Sequence, residues 1–258
     1  MGFDPDLRAC AELVQMGDPD RFLAAMAAPV GARPVLFALY AFNLEVARAP
    51  WVTQEPMLAE MRLQWWRDAV AEIVAGNVPP KHPVTNALGG VMDADRAAEL
   101  DKVIAVRYWD IYKDPFEDMA HFERYIDQSA GTLMWVGARM LGPADEAVVR
   151  GFAYASGVAN WLRAVPGLAA RGRIPLLDGR PEGVQALARD ALARLARARR
   201  ARRAVSRAAA PALLAGWQAE PVLTQALRDP GRVAAGALGQ SGARRRLSLM
   251  ARAATGRW

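Results

Sequence analysis

The sequence predicts an all-α fold, a single-domain helical bundle, on three observations. Helix formers dominate and β-branched residues are scarce. Apolar residues recur at helical spacing through most of the chain. Proline, often behind an aspartate, marks one helix start after another. Apolar residues make up 53% and charged residues 23%, a globular balance. At 258 residues the chain can bury a sizeable core as one large domain or two small ones, and no repeat of fixed period divides it.

Residues 4–28 open with Asp4-Pro5, carry Leu7, Cys10, Ala11, Leu13 and Val14 at helical spacing, and restart at Asp18-Pro19-Asp20. Pro29 to Pro34 reads as a loop, and Pro34 starts a buried helix through Ala38–Trp51 that Pro50 limits. From Pro56 to Val74 apolar positions including Met61, Leu63, Trp66, Ala69 and Ile73 alternate with Glu60, Arg62, Arg67, Asp68 and Glu72, an amphipathic helix. Of the adjacent Trp65 and Trp66 only one can point inward, and a core anchor is the simpler role. Gly76 to Pro83 breaks that helix, and residues 84–112 resume the pattern.

Asp114-Pro115-Phe116-Glu117 reads as the start of a helix over 116–141, with Asp114 as its cap and Gly142-Pro143 as its stop. A helix over 144–165 follows, with small residues such as Gly151, Ser156 and Gly157 that allow close approach, and Pro166-Gly167 is expected to end it. Residues 166–183 read as a long loop. An Arg-loaded helix over 182–209 and further helices near 211–228 and 231–254 complete the chain.

Several function classes are excluded. No apolar run reaches about 18 residues, so no membrane span is expected. Asp4, Asp6, Glu12, Asp18 and Asp20 make the first thirty residues unlike a secretory signal. Cys10 is the only cysteine, so no intrachain disulfide forms and a reducing cytoplasm is the expected setting. His82 and His121 have no ligand-like partners, so no metal site is expected. Ser129 and Ser156 lack a nucleophile-elbow context. No catalytic residue is assigned.

Charge is unevenly spread. Residues 166–258 hold 18 Arg against five acids, whereas the first 165 residues carry 15 basic and 22 acidic groups. Arg194, Arg197, Arg200 and Arg203 lie among the arginines of the 182–209 helix. Three readings stand open for them: an exposed bundle face, attachment to anionic lipid, or nucleic-acid binding. The last is the weakest, because no aromatics interleave the arginines.

Ordered segments resemble the squalene and phytoene synthases. They are Asp20-Arg21, Ala38-Leu39-Tyr40-Ala41-Phe42, Leu63-Gln64-Trp65-Trp66-Arg67-Asp68-Ala69, Tyr125 with Ala130-Gly131-Thr132, and Ala159-Asn160-Trp161-Leu162-Arg163 leading to Gly172-Arg173-Ile174-Pro175-Leu176. The resemblance is clearest over residues 10–180 and implies one synthase-like domain over 1–258, around a central apolar cavity of the isoprenoid synthase type. Enzymes of that family join two prenyl diphosphates head to head, with Mg²⁺ held by two Asp-x-x-x-Asp pairs on facing helices.

By the same resemblance, this chain carries Ala47, Arg48 and Trp51 in place of the first aspartates, and Ala164 and Leu168 in place of the second pair. Asp114 with Asp118 and Asp95 with Glu99 have the four-residue spacing, but a helix cap and a polar helix face explain them. The run Ala41-Phe42-Asn43-Leu44-Glu45 resembles the family's non-catalytic branch, the homologues of complex I assembly factor six. The resemblance implies Tyr40, Asn43, Glu45, Arg48, Arg67, Asn160 and Arg163 as a cavity-lining, anion-facing set; for Arg67, Asn160 and Arg163 a structural network between helices is an equal reading. The expected role is a membrane-associated factor in respiratory complex I assembly or an isoprenoid binder, with complex I subunits, an isoprenoid lipid and anionic membrane as partners. No cofactor is expected, and the location is cytoplasmic, peripheral on the inner membrane. The alternative is an active Mg²⁺-dependent prenyltransferase.

Overall fold

Aspartates open five of the helices, and each cap is a side-chain oxygen accepting a backbone N–H two or three residues on. The pairs are Asp4 with Asp6, Asp18 with Arg21, Asp93 with Arg96, Asp118 with His121 and Asp145 with Val148. Each such cap contributes on the order of 1 kcal/mol. The computed structural model describes residues 4–258. Its helices are α1 (Pro5–Gly17), α2 (Pro19–Ala27), α3 (Arg33–Arg48), α4 (Pro56–Val74), α5 (Pro83–Val91), α6 (Ala94–Ala105), α7 (Trp109–Tyr112), α8 (Met119–Ile126) and α9 (Thr132–Leu141). They continue as α10 (Glu146–Ala170), α11 (Pro181–Arg200), α12 (Ala219–Arg228), α13 (Gly231–Ala234) and α14 (Gly242–Thr255). Among the described residues the only β pairing is the isolated bridge Ala144–Val205.

α3 and α10 are the two inner helices. Nine residues of α3 are buried, including Phe37, Leu39, Tyr40, Phe42 and Asn43, under α1, α2, α5 and α9. The segment Val30–Trp51 has the length and mean hydropathy (1.2) to cross a bilayer, because its charges lie near its ends. Its burial makes it a core helix instead. α10 is covered by α8, α9, α11, α12 and α13. Gly157 lets α10 close on the chain after α8: a Cβ there would stand 2.7 Å from Ile126 Cγ2 and 3.0 Å from the Ala130 Cβ. One cluster of buried side chains runs from Cys10 to Trp258.

Several local expectations differ from the structure, among them the Arg-loaded helix expected over 182–209, which ends at Arg200. Pro166 does not end α10, which continues to Ala170. The ring costs one backbone hydrogen bond, but buried Val165 holds the turn to the body. The helix expected from Asp114 starts at Asp118 instead, because Phe116 is drawn under Trp109 with ring centroids 4.2 Å apart, and residues 113–117 leave helical geometry. Between α8 and α9 the chain forms a π-helical turn, Asp127–Gly131, with buried Ser129 and Gly131. The last stretch divides at Gly236 and Gly239, whose φ values of +64° and +136° suit glycine.

Asp20 of α2 ties distant segments together. It accepts from Arg163 of α10 at 3.1 Å and Gln218 at 2.6 Å, and lies 3.2 Å from Arg245 of α14.

Candidate functional site

α3 and α10 together line a recess of about 260 Å³. From α3 come Asn43 and Ala47, with Trp51 in the turn beyond; from α10 come Gly157, Asn160, Trp161, Ala164 and Leu168. The π turn supplies Ser129 and Ala130. This placement fits a general tendency, since π turns often sit at functional sites. Arg21, Arg107, Asp110, Tyr125 and Arg171 complete the polar lining.

The polar floor is a buried charge network. Asp110 is 3% exposed. Arg107 Nη1 donates to the Tyr125 hydroxyl at 2.7 Å and lies 3.3 Å from Asp110 Oδ2. The hydroxyl in turn donates to Asp110 at 3.0 Å. Burial, outweighing the opposite pull of Arg107, pushes the Tyr125 phenol above its ordinary range, so it keeps the proton it donates. Arg173 is also buried, 3.6 Å from Asp110 Oδ1, and donates to the Trp109 carbonyl at 3.2 Å. Two guanidinium groups therefore share one carboxylate.

Trp51 sits at the edge of this network. The guanidinium carbons of Arg171 and Arg173 lie 5.0 and 5.2 Å from its ring centroid, within cation–π range. Trp51, Asp110 and Arg171 also line a second recess of about 370 Å³ on the α4 side. The indole thus stands between two polar spaces.

Of the seven residues expected to face a cavity, the structure brings Asn43 and Asn160 to the recess. Tyr40 lies just behind, with Arg21 5.4 Å from its ring centroid. Glu45 and Arg48 pair with each other at 3.3 Å and line a separate recess beside Trp65, Trp66 and His82. Arg67 makes a two-pronged contact with Asp101 of α6 at 2.7 and 3.1 Å. Arg163 is taken by Asp20. The last two are therefore inter-helix ties, placed away from the recess because each found a carboxylate on a neighbouring helix. Trp66 is buried and Trp65 is 37% exposed, so one of the pair packs inward.

Among the four arginines expected on an anion-facing surface, Arg194 is held by Glu123 and by Asp190 at 2.8 Å, and lies 3.9 Å from the Tyr154 ring centroid. Arg197, Arg200 and Arg203 are exposed.

Arg107, Asp110 and Arg171 were absent from the sequence expectations, and Arg173 appeared there only within a segment that resembles the family. The one local signal is the Arg107–Asp110 spacing of three, which matches many ordinary helical pairs.

The interior is packed. One to two turns before Gly157 on α10, Phe152 is fully buried, its ring 4.9 Å from that of Trp258, and Gly216 lies close against it. Side chains fill the interior at that level, while an apolar-walled recess of about 380 Å³ opens beside α8, α10 and α11, lined by Phe122, Tyr154, Leu176, Leu177 and Leu187 among others.

These features define the class: an all-α helical shell, with a polar recess between its two inner helices. Two solved structures share that shell. Squalene synthase HpnC from Alicyclobacillus acidocaldarius superposes with a TM-score of 0.73 at 18% identity, over 86% of this chain and 93% of its own. A dehydrosqualene synthase in complex with ligand gives 0.75 at 17%, over 97% and 95%. A sequence model of squalene/phytoene synthases matches residues 14–254, and the chain belongs to that family.

Curated relatives at higher identity carry a different name. The chain is 27% identical over 172 residues to "NADH dehydrogenase (ubiquinone) complex I, assembly factor 6" of Bos taurus, covering 65% of this chain and 51% of that protein. It is 30% identical over 182 residues to the Drosophila melanogaster homolog, covering 65% and 53%. The chain thus spans about half the length of the curated relatives it matches.

The synthase fold implies Mg²⁺, but the recess does not suit it. A magnesium ion takes hard oxygen donors, usually carboxylates together with substrate phosphates. Among the described residues the only carboxylate lining the recess is Asp110, already committed to Arg107, Tyr125 and Arg173. Among the described residues no three His, Cys, Asp or Glu side chains gather as a metal-holding group.

Proposed function

We propose that this protein is a non-catalytic member of the squalene/phytoene synthase family that acts in the assembly of respiratory complex I. One observation carries the reading. Ala47, Trp51, Ala164 and Leu168, where the family resemblance puts metal-binding aspartates, line a single recess whose charged groups are mostly arginine. The relatives named as complex I assembly factors support the same direction.

Two measurements test it together. Deleting the gene in its host is expected to lower assembled complex I by several fold on native gels, with restoration by the intact gene. The purified protein, given farnesyl or geranylgeranyl diphosphate with Mg²⁺, is expected to yield no head-to-head product. Normal complex I in the deletion strain, or any such product, rejects the proposal.

The site of action we propose is the cytoplasmic face of the inner membrane, held peripherally. Exposed Arg197 and Arg200 at the end of α11 and Arg203 in the turn after it support it, as does α14, which contains no acid and exposes Arg244, Arg246, Leu247 and Met250. Near an anionic bilayer each such arginine contributes on the order of 1 kcal/mol, and exposed apolar side chains between basic ones suit the headgroup region. The full chain is expected to sediment with vesicles of mixed phosphatidylserine and phosphatidylcholine and to stay in solution with phosphatidylcholine alone. Equal partition to both kinds refutes membrane attachment by charge.

A further inference from the structure

We infer that the recess between α3 and α10 has exchanged a cation site for an anion site: it binds a phosphate-type oxyanion directly through arginine and amide groups, without a divalent metal. The inference deepens the non-catalytic reading and rests on it. Three observations lead here.

The first is charge. Arg21, Arg107 and Arg171 line the recess against the single carboxylate of Asp110, and Arg173 stands behind that carboxylate. The C-terminal ends of α3 and α10 each add about half a negative charge. Four guanidinium groups against one carboxylate and two such helix ends still leave the recess positive, even if Arg21 is assigned wholly to Asp18, 3.5 Å away.

The second is unused hydrogen-bonding capacity. Asn43 lines the recess at 7% exposure, and its amide has no side-chain partner among the described residues. Asn160, on the facing helix, is exposed and has no side-chain partner among the described residues, so its amide is free to turn to a ligand. Among the described residues, Arg107 in the lining and Arg173 behind it each retain a buried Nε without a partner. A buried polar group without a partner costs free energy that an oxyanion, rich in acceptor positions, can recover.

The third is the shape of the wall. Trp51, Trp161 and Leu168 give the recess an apolar side next to its arginines. A phosphomonoester with a short hydrocarbon substituent therefore fits better than free phosphate. A lipid headgroup and a soluble phosphate ester share this chemistry, and the substituent dependence separates them from inorganic phosphate.

The test is calorimetric titration of the full chain in EDTA with inorganic phosphate, hexyl phosphate and hexanol. Hexyl phosphate is expected to bind, inorganic phosphate to bind about tenfold more weakly, and hexanol not at all. Arg171→Ala and Asn160→Asp both change exposed positions, so the fold is kept. Each is expected to weaken hexyl phosphate by about tenfold or more, the scale of one charge-assisted hydrogen bond. Binding only after Mg²⁺ is added, no phosphate binding at all, or affinity unchanged in both variants overturns the inference. Such a result leaves the complex I reading to its own gel assay, whereas prenyl product overturns both.

Discussion

Asp110→Ala is expected to destabilise the protein by about 3–5 kcal/mol, the scale measured when one partner of a buried ion pair is removed. Among the described residues the carboxylate is the only anion facing Arg107 and Arg173, and it also accepts the hydrogen bond from the Tyr125 hydroxyl. Removing it strands two buried guanidinium groups. Neither can shed its charge, because arginine stays protonated in proteins. Asp110→Asn keeps an acceptor for Tyr125 but loses the charge, so it should fall between wild type and alanine. Urea unfolding gives the free energies, and the alanine variant should also melt roughly 10 °C lower for a chain of this size. A cost under about 1 kcal/mol would mean that water, rather than Asp110, balances the two arginines.

Phe152→Ala comes next, at about 3–5 kcal/mol by lost burial and the cavity left behind. Phe152 is fully buried between Gly216 and Trp258. Gly216 has no side chain to move into the gap. The variant is therefore expected to retain space that the wild type lacks, and to gain affinity for small hydrocarbons such as benzene in a thermal-shift titration. Collapse of the gap would appear as a cost near 1 kcal/mol and no ligand effect. Either result measures how firmly the interior is closed to an apolar chain.

The fold was readable where its causes are local. Asp4 and Asp18 cap helices next to them, and Pro56 opens α4 where expected. It was unreadable where a distant partner overrides the local pattern. Asp114-Pro115 looks like a helix start, but the stacking of Phe116 on Trp109 prevents it and Asp118 becomes the cap. The π turn adds one residue per turn for close packing at Gly157, which no periodicity at 3.6 can announce.

The recess shows the same division. Asn43 and Asn160 were reached through segments that resemble the family. Arg67, Arg163 and Arg48 looked equally available in sequence, yet Asp101, Asp20 and Glu45 claim them. The Asp110 network gathers Arg107, Tyr125 and Arg173 from separate segments, so only the fold assembles it.

The Asp20 tie has a consequence for synthesis. Its partner Gln218 lies 198 residues further along the chain. At about 5–20 residues per second, it leaves the ribosome roughly 10–40 s after Asp20. During that interval α2 has no C-terminal segment to close against it. A growing chain of this protein therefore carries an open flank on α2 throughout that interval.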